Sequence, residues 1–172
     1  YDQDGDADLF VTNFSRESNT LYRNDGANRF TDAGASAGLE EPSLRPLGFG
    51  TLFFDADNDR DLDLFVANGH VMDRIQTLEE DLRYAQPDQL FANIGTGQFR
   101  DVSAISGPAF ARRAVSRGAA YGDYDQDGDL DLLVTHSSGP VALYRNDLPS
   151  GNNWLALEGP LTGARVTLFC SG

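Results

Sequence analysis

An alternating aspartate run recurs three times along this chain, and each copy leads into a β-branched and aromatic segment. Tyr124–Thr135 (YDQDGDLDLLVT) matches Tyr1–Thr12 (YDQDGDADLFVT) at an offset of 123 residues. Leu143–Asp147 (LYRND) repeats Leu21–Asp25 at an offset of 122. The middle copy, Asp55–Val66 (DADNDRDLDLFV), precedes the third by 68 residues, and its Leu90–Asn93 and Phe99–Asp101 echo Leu21–Asn24 and Phe30–Asp32. The repeat is therefore about 55 to 68 residues long. Few folds tolerate that constraint. A unit that recurs at such a period must bury its apolar faces against its neighbours, as in radial or solenoid architectures.

Each unit reads as four short strands. Gly48–Phe54 runs into the acidic loop and Leu62–Ala67 leaves it, the latter with the residue types favoured in buried strands. Gln89–Asn93 and Gln98–Val102 flank Ile94–Gly97, a glycine-containing hairpin signal. In the first unit Asn24-Asp25-Gly26 stands in that place, with the Asp-Gly pair favoured in tight hairpins. The expected fold is all-β, a partial β-propeller of four-stranded blades. The expected division is a partial blade at 1–40, a complete blade at 45–107 with a loop insertion at 70–87, a partial blade at 112–148 and a further segment at 152–172. Within the insertion, Ile75, Leu78, Leu82 and Tyr84 have helical spacing and Pro87 is a stop, so a short helix is expected there.

The charge belongs to the loops. The 172 residues carry a formal charge of −14, and all 13 basic residues are Arg. Outside the three runs, 13 acidic residues face 12 arginines, close to neutrality. Acidity at fixed spacing points to cation sites, whereas diffuse acidity would point to a solvating or disordered segment. The same charge repels a phosphate backbone, which argues against nucleic acid as a partner. No apolar run approaches the ~20 residues of a membrane span. Cys170 is the single cysteine, so neither an internal disulfide nor a thiolate metal cage is available.

Oxygen ligands alone, at every second position, suit a hard cation. Calcium accepts six to eight oxygens in an irregular shell. The ligands expected in the third loop are Asp123, Asp125, Asp127, the carbonyl of Asp129, and Asp131. In the second they are Asp55, Asp57, Asp59, the carbonyl of Asp61, and Asp63. Tyr1 aligns with Tyr124, so position 1 of the first loop precedes the first residue. That site is expected to be cut, leaving Asp2, Asp4, the Asp6 carbonyl and Asp8. An EF-hand shares the alternating start but requires Glu at position 12 and flanking helices. That position holds Val11, Val66 and Val134, inside strand patterns. Position 6 is Gly5 and Gly128 in the outer loops but Arg60 in the middle one. A left-handed conformation there costs a non-glycine residue roughly 1–2 kcal/mol, and the Arg60 charge opposes a cation. Up to three calcium sites are expected, the middle one weaker.

These residues resemble the FG-GAP/VCBS repeat family of calcium-binding β-propellers. Gly48-Phe49-Gly50 and Arg117-Gly118-Ala119-Ala120 fall where the name-giving elements precede the acidic loop. The motif order, with Asn68-Gly69-His70, Gln86-Pro87 and Leu90–Asn93, is most similar to the cartilage acidic protein group of secreted proteins. The tail, with Asn152–Leu157 and Gly163–Leu168, looks like the start of an ASPIC/UnbV domain. The resemblance implies a seven-bladed propeller of which this chain carries about two and a half blades, the remaining blades lying elsewhere in a parent chain. It also implies a secreted or cell-surface setting (the bacterial envelope), calcium binding, and a protein or glycan ligand without catalysis. An alternative is a module of an enzyme or biosynthetic-cluster protein whose reactive centre lies outside these residues.

No catalytic constellation emerges from the sequence. His70 and His136 are far apart and read as structural, and there is no nucleophile elbow, phosphate loop or His-Glu zinc motif. Paired carboxylates could hydrolyse a glycoside, but the alternating aspartates are better used as metal ligands. Arg112, Arg113 and Arg117 read as solvated surface or an anion patch. An open stack of blades leaves two flanks bare, so self-association is expected.

Overall fold

A computed structural model describes residues 1–148; the expected ASPIC/UnbV-like segment lies outside the described residues. Among the described residues the architecture is all-β, with antiparallel sheets and two one-turn helices. The first sheet takes β1 (Leu9–Val11), β2 (Thr20–Asn24) and β3 (Phe30–Asp32), in that order. Helix α1 (Glu40–Ser43) leads to β4 (Gly48–Phe54) and β5 (Asp63–Asn68). A two-residue strand β6 (Gln86–Pro87) precedes β7 (Gln89–Asn93) and β8 (Phe99–Asp101). The middle sheet has the order β4-β5-β7-β8, the four-stranded unit read from the repeat. Helix α2 (Pro108–Ala111) precedes β9 (Arg113–Ala114), which pairs with β6, and then come β10 (Ser116–Gly122), β11 (Asp131–His136) and β12 (Ala142–Tyr144) as the third sheet.

The middle sheet is apolar on both faces because each face meets a neighbour. Toward the first sheet, Leu64, Val66, Phe91 and Phe99 pack with Leu21, Ala33 and Leu39, and Phe10 sets its ring edge-on to Phe53 at 6.1 Å. Toward the third, Phe54, Phe65 and Leu90 pack with Leu132, Val134 and Phe110, and Tyr144 meets Phe65 edge-on. Alternation along β5 thus sends Leu64 and Val66 one way and Phe65 and Ala67 the other, all four fully buried. Val66 and Val134, at the diagnostic EF-hand position, are core residues of β5 and β11, which removes the EF-hand alternative.

The insertion forms the expected short helix as a single 3-10 turn at Ile75–Thr77. Ile75 and Leu82 are buried, but Leu78 is 69% exposed, so the helical spacing has no continuous apolar face to dock. Its ends are held otherwise: the His70 N–H donates to the Tyr84 carbonyl at 2.8 Å, and β6 pairs with β9. Arg117 is neither solvated nor free for an anion. Its guanidinium lies 3.9 Å over the Phe49 ring and donates to the carbonyls of Gly69, Ser116 and His70.

Candidate metal centres

The three acidic loops lead into equivalent strands of their sheets (β1, β5, β11) and touch one another in turn through Gln3–Asp61 and Asn58–Asp129, so they lie at the same end of the stack. Their backbones follow one plan. Position 4 is left-handed in every copy, with φ of 59° at Gln3, 59° at Asn58 and 62° at Gln126. Position 6 is left-handed as well, with φ of 96° at Gly5 and Gly128 and 82° at Arg60. Two left-handed residues separated by one fold the loop tightly and turn its N–H groups inward.

The first carboxylates receive those N–H groups. Asp55 accepts from the Asp59 and Arg60 amides at 3.1 and 3.0 Å. Asp123 accepts from the Asp127 and Gly128 amides, each at 3.1 Å. The loop therefore has the same shape with Arg or Gly at position 6, and Arg60 carries the strain. Arg60→Gly is expected to raise stability by about 0.5–1 kcal/mol, the left-handed penalty less the entropy of an added glycine. Equilibrium urea denaturation measures it, and an unchanged midpoint would mean that Arg60 sits there without strain.

The aspartate at position 9 is a clamp. Asp63 is 3% exposed; its Oδ2 accepts from the Ala56 N–H at 2.9 Å and its Oδ1 from the Asn93 N–H at 2.8 Å. Asp131 does the same with the N–H groups of Tyr124 and Asn146, both at 2.8 Å. Asp8 takes the Tyr1 amino group and the Asn24 N–H, both at 2.8 Å. Each clamp ties the loop's entry to the asparagine that ends the sheet's next strand (β2 or β7) or follows it (β12).

The same residues assemble two oxygen triads. Oxygens of Asp55, Asp57 and Asp63 lie within 4.8 Å of one another, as do those of Asp123, Asp125 and Asp131. Asp59, Asp61, Asp127 and Asp129 stand outside these triads. The Asp61 amide donates to Asp59 and the Asp129 amide to Asp127, at 2.8 and 3.0 Å. Asp2, Asp4, Asp6 and Asp8 form no such triad among the described residues. In the first loop Asp2 and Asp4 cap the amides two residues on, those of Asp4 and Asp6.

The triads are electrostatically loaded. Burial pushes the Asp63 carboxyl up to about 6. Burial and then the neighbouring Asp59 raise Asp57; burial and then Asp127 raise Asp125. A divalent cation suits this donor set, which is all hard oxygen and carries more negative charge than it can keep in isolation. Arg145 Nη1 lies 4.0 Å from Asp125 and is a competing positive charge at the third loop.

Two further residues per junction connect the loops and were not singled out from the sequence. The Gln3 side-chain amide donates to the Arg60 carbonyl and, at 2.8 Å, to Asp61. The Asn58 amide repeats this one loop on, to the Gly128 carbonyl at 3.4 Å and Asp129 at 2.6 Å. In return, Asn93 Nδ2 donates to the Tyr1 carbonyl at 3.3 Å and Asn146 Nδ2 to the Ala56 carbonyl at 2.7 Å. The signal was present: position 4 is an amide in all three copies, and each Leu-x-x-Asn ends in asparagine.

Comparison with known proteins agrees with this repeat structure. The FG-GAP-like repeat family matches residues 1–66 and 55–134. The chain is also similar to cartilage acidic protein 1 of Homo sapiens, 28% identical over 130 residues. That match covers 76% of this chain and 17% of the human protein.

Proposed function

Since the chain belongs to the FG-GAP-like repeat family, we propose that it is a calcium-binding β-propeller module, non-catalytic, used for recognition or adhesion of a protein or glycan outside the cell or at its surface. The observation that carries the metal assignment is the pair of equivalent oxygen triads. Asp55, Asp57 and Asp63 would hold one ion, and Asp123, Asp125 and Asp131 another. The carbonyls of Asp61 and Asp129, with the carboxylates of Asp59 and Asp127, would supply further oxygens from the same loops. The first loop, with Asp2, Asp4, Asp6 and Asp8, is a third and less complete candidate. The ion supplies positive charge at carboxylates that burial and mutual repulsion disfavour, and so fixes the loop against its sheet.

The propeller reading rests on three sheets stacked face to face, each with its acidic loop at the same end. The non-catalytic reading rests on how the polar side chains are used. The aspartates bind loop amides, His70 Nδ1 accepts the Met72 N–H at 3.0 Å, and His136 Nδ1 contacts the Pro140 carbonyl at 2.7 Å. Among the described residues no helix is long and apolar enough to cross a membrane.

Differential scanning calorimetry with calcium and with chelator tests the metal assignment. Calcium at ten times its Kd should stabilise by about 1.4 kcal/mol per occupied site, seen as a rise in Tm that chelator reverses. Identical Tm values across the calcium series would overturn it. Glycan and protein arrays probed with the calcium-loaded chain then test recognition. Binding that chelator abolishes supports it, whereas stabilisation with no ligand on any array would leave calcium with a purely structural role.

A further inference from the structure

Strand β5 leaves its acidic loop at Asp63 and ends at Asn68, so His70 stands at the far end of the sheet, where the insertion begins. Its N–H donates to the Tyr84 carbonyl at 2.8 Å, which closes the segment on itself. Its carbonyl accepts from Arg117 Nη2 at 3.0 Å. Its Nδ1 accepts the Met72 N–H at 3.0 Å, and the Met72 carbonyl in turn accepts the Ile75 N–H that opens the 3-10 turn. The imidazole thereby places the turn that buries Ile75. Its other nitrogen, Nε2, is buried with no hydrogen-bond partner.

This arrangement admits only the neutral ring. A backbone N–H can only donate, so Nδ1 presents its lone pair and the ring proton sits on Nε2. A second proton, on Nδ1, would set two donors against each other and charge a fully buried side chain. From the first sheet the ring meets Phe14 edge-on at 5.3 Å, an uncharged neighbour. From its own segment it meets the Met72 N–H. From β10 the charge that acts on it is Arg117, of like sign, and among the described residues no carboxylate acts on it. Burial above all, with Arg117 adding to it, holds the imidazole below its usual range. The closed insertion therefore excludes a proton that an opened one takes up near 6.5. Its stability is full above that pH and declines as pH falls below it.

We propose that His70 is a proton-operated latch: its protonation breaks the bond from Met72 and releases the turn at residues 72–78, while the sheets stay folded. Arg16, bound to Glu79 and Asp81, keeps the later part of the insertion on the first sheet, which confines the opening to the earlier part. Release uncovers Ile75, which is 5% exposed, next to Val71, Met72 and Leu78, which are already 52%, 43% and 69% exposed. Acid thus enlarges the apolar surface at this end of the stack.

Amide hydrogen exchange followed by NMR on the full 172-residue chain, in saturating calcium at pH 7 and pH 5, tests the latch. After correction for the intrinsic exchange rate, Met72 should lose up to about 25-fold of its protection at pH 5, the ratio set by a histidine that titrates at about 6.5 once open. The Phe99 amide, bonded to the Ala37 carbonyl at 2.8 Å, reports on the body of the stack and should lose less. His70→Asn keeps an acceptor for Met72 and cannot titrate, so its Met72 protection should not follow pH. The wild-type ring gives a reading that needs no variant: its nitrogen chemical shifts should show the neutral form protonated on Nε2 at pH 7. Equal protection of Met72 at the two pH values overturns the proposal. So does a loss that Phe99 shares in full, an Asn variant that follows pH as the wild type does, or a ring that is charged or carries its proton on Nδ1 at pH 7.

Discussion

Asp63→Ala is expected to lower the unfolding free energy by about 4 kcal/mol, because it strands two buried N–H donors at about 1–3 kcal/mol each. Those donors are the Ala56 and Asn93 amides, both bonded to this carboxylate. Asp63→Asn keeps one acceptor and removes a charge that burial disfavours, so in chelator it should fall between wild type and Ala. With calcium neither variant should gain the wild-type increment, since both lack the anionic ligand, and the gap between them should stay as it is in chelator. Urea denaturation in both conditions, with Asp73→Ala as an exposed control, measures the differences. An Asp63→Ala protein as stable as the control would remove the clamp from the account of this fold.

The same carboxyl sets a pH dependence. It titrates near 3.8 when free and is raised to about 6 in the folded chain. Between those values the folded state holds a proton that the unfolded state has lost. Stability of the metal-free protein therefore falls as pH rises through that window, by roughly 2–3 kcal/mol from this group. Asp88 is shifted the same way by burial. Calcium should invert the trend by favouring the charged carboxylates. A metal-free Tm that climbs steadily from pH 4 to 7 would contradict the assignment.

Gly50→Ala is the second large effect, an expected loss of about 3 kcal/mol, at the upper end of overpacking costs. A β-carbon on Gly50 would lie 2.8 Å from the Ala119 nitrogen and 2.9 Å from both the Arg117 carbonyl oxygen and the Gly118 α-carbon. All three are backbone atoms of β10, so no rotamer change relieves the clash. The first strands of the middle and third sheets meet here closely enough to exclude a methyl group. Gly122→Ala is the matched control, since nothing lies within 4 Å of its added carbon. Thermal unfolding of the two variants decides the matter, and equal Tm values would mean that the sheets can separate at no cost.

Much of this was legible because the repeat shows the same solution more than once. Gly48–Phe54 and Gln89–Asn93 are strands to the residue, since each is a dense β-forming run bounded by turn residues. The left-handed position 6 was readable from its two glycines. The left-handed position 4 was not, because Gln3, Asn58 and Gln126 carry no such mark. Alternation alone could not say which aspartates converge. Position 9 joins positions 1 and 3 because it heads a buried strand, while position 7 faces the preceding loop, where Gln3 and Asn58 reach Asp61 and Asp129. Nor could local pattern show that Asn93 seals a clamp 30 residues away; that depends on sheet topology. The short helix foreseen in the insertion is one 3-10 turn, and the rest of the segment is held by pairing of β6 with β9 and by Arg16, which holds Glu79 and Asp81 at 3.1 and 2.6 Å.

The insertion also changes how far the chain must wander before its clamp closes. Asp8 and Asp131 find Asn24 and Asn146 after 16 and 15 residues, but Asp63 finds Asn93 after 30. Doubling a loop adds only about 0.6 kcal/mol of closure entropy, a factor of less than three in rate if closure limits folding. Burying Ile75 and Leu82 returns about 1.5–3 kcal/mol apiece. The longer path therefore slows closure of the middle sheet by less than threefold, and this edge is a place where the polypeptide can lengthen at little cost in the speed with which the sheet that supports both neighbours forms.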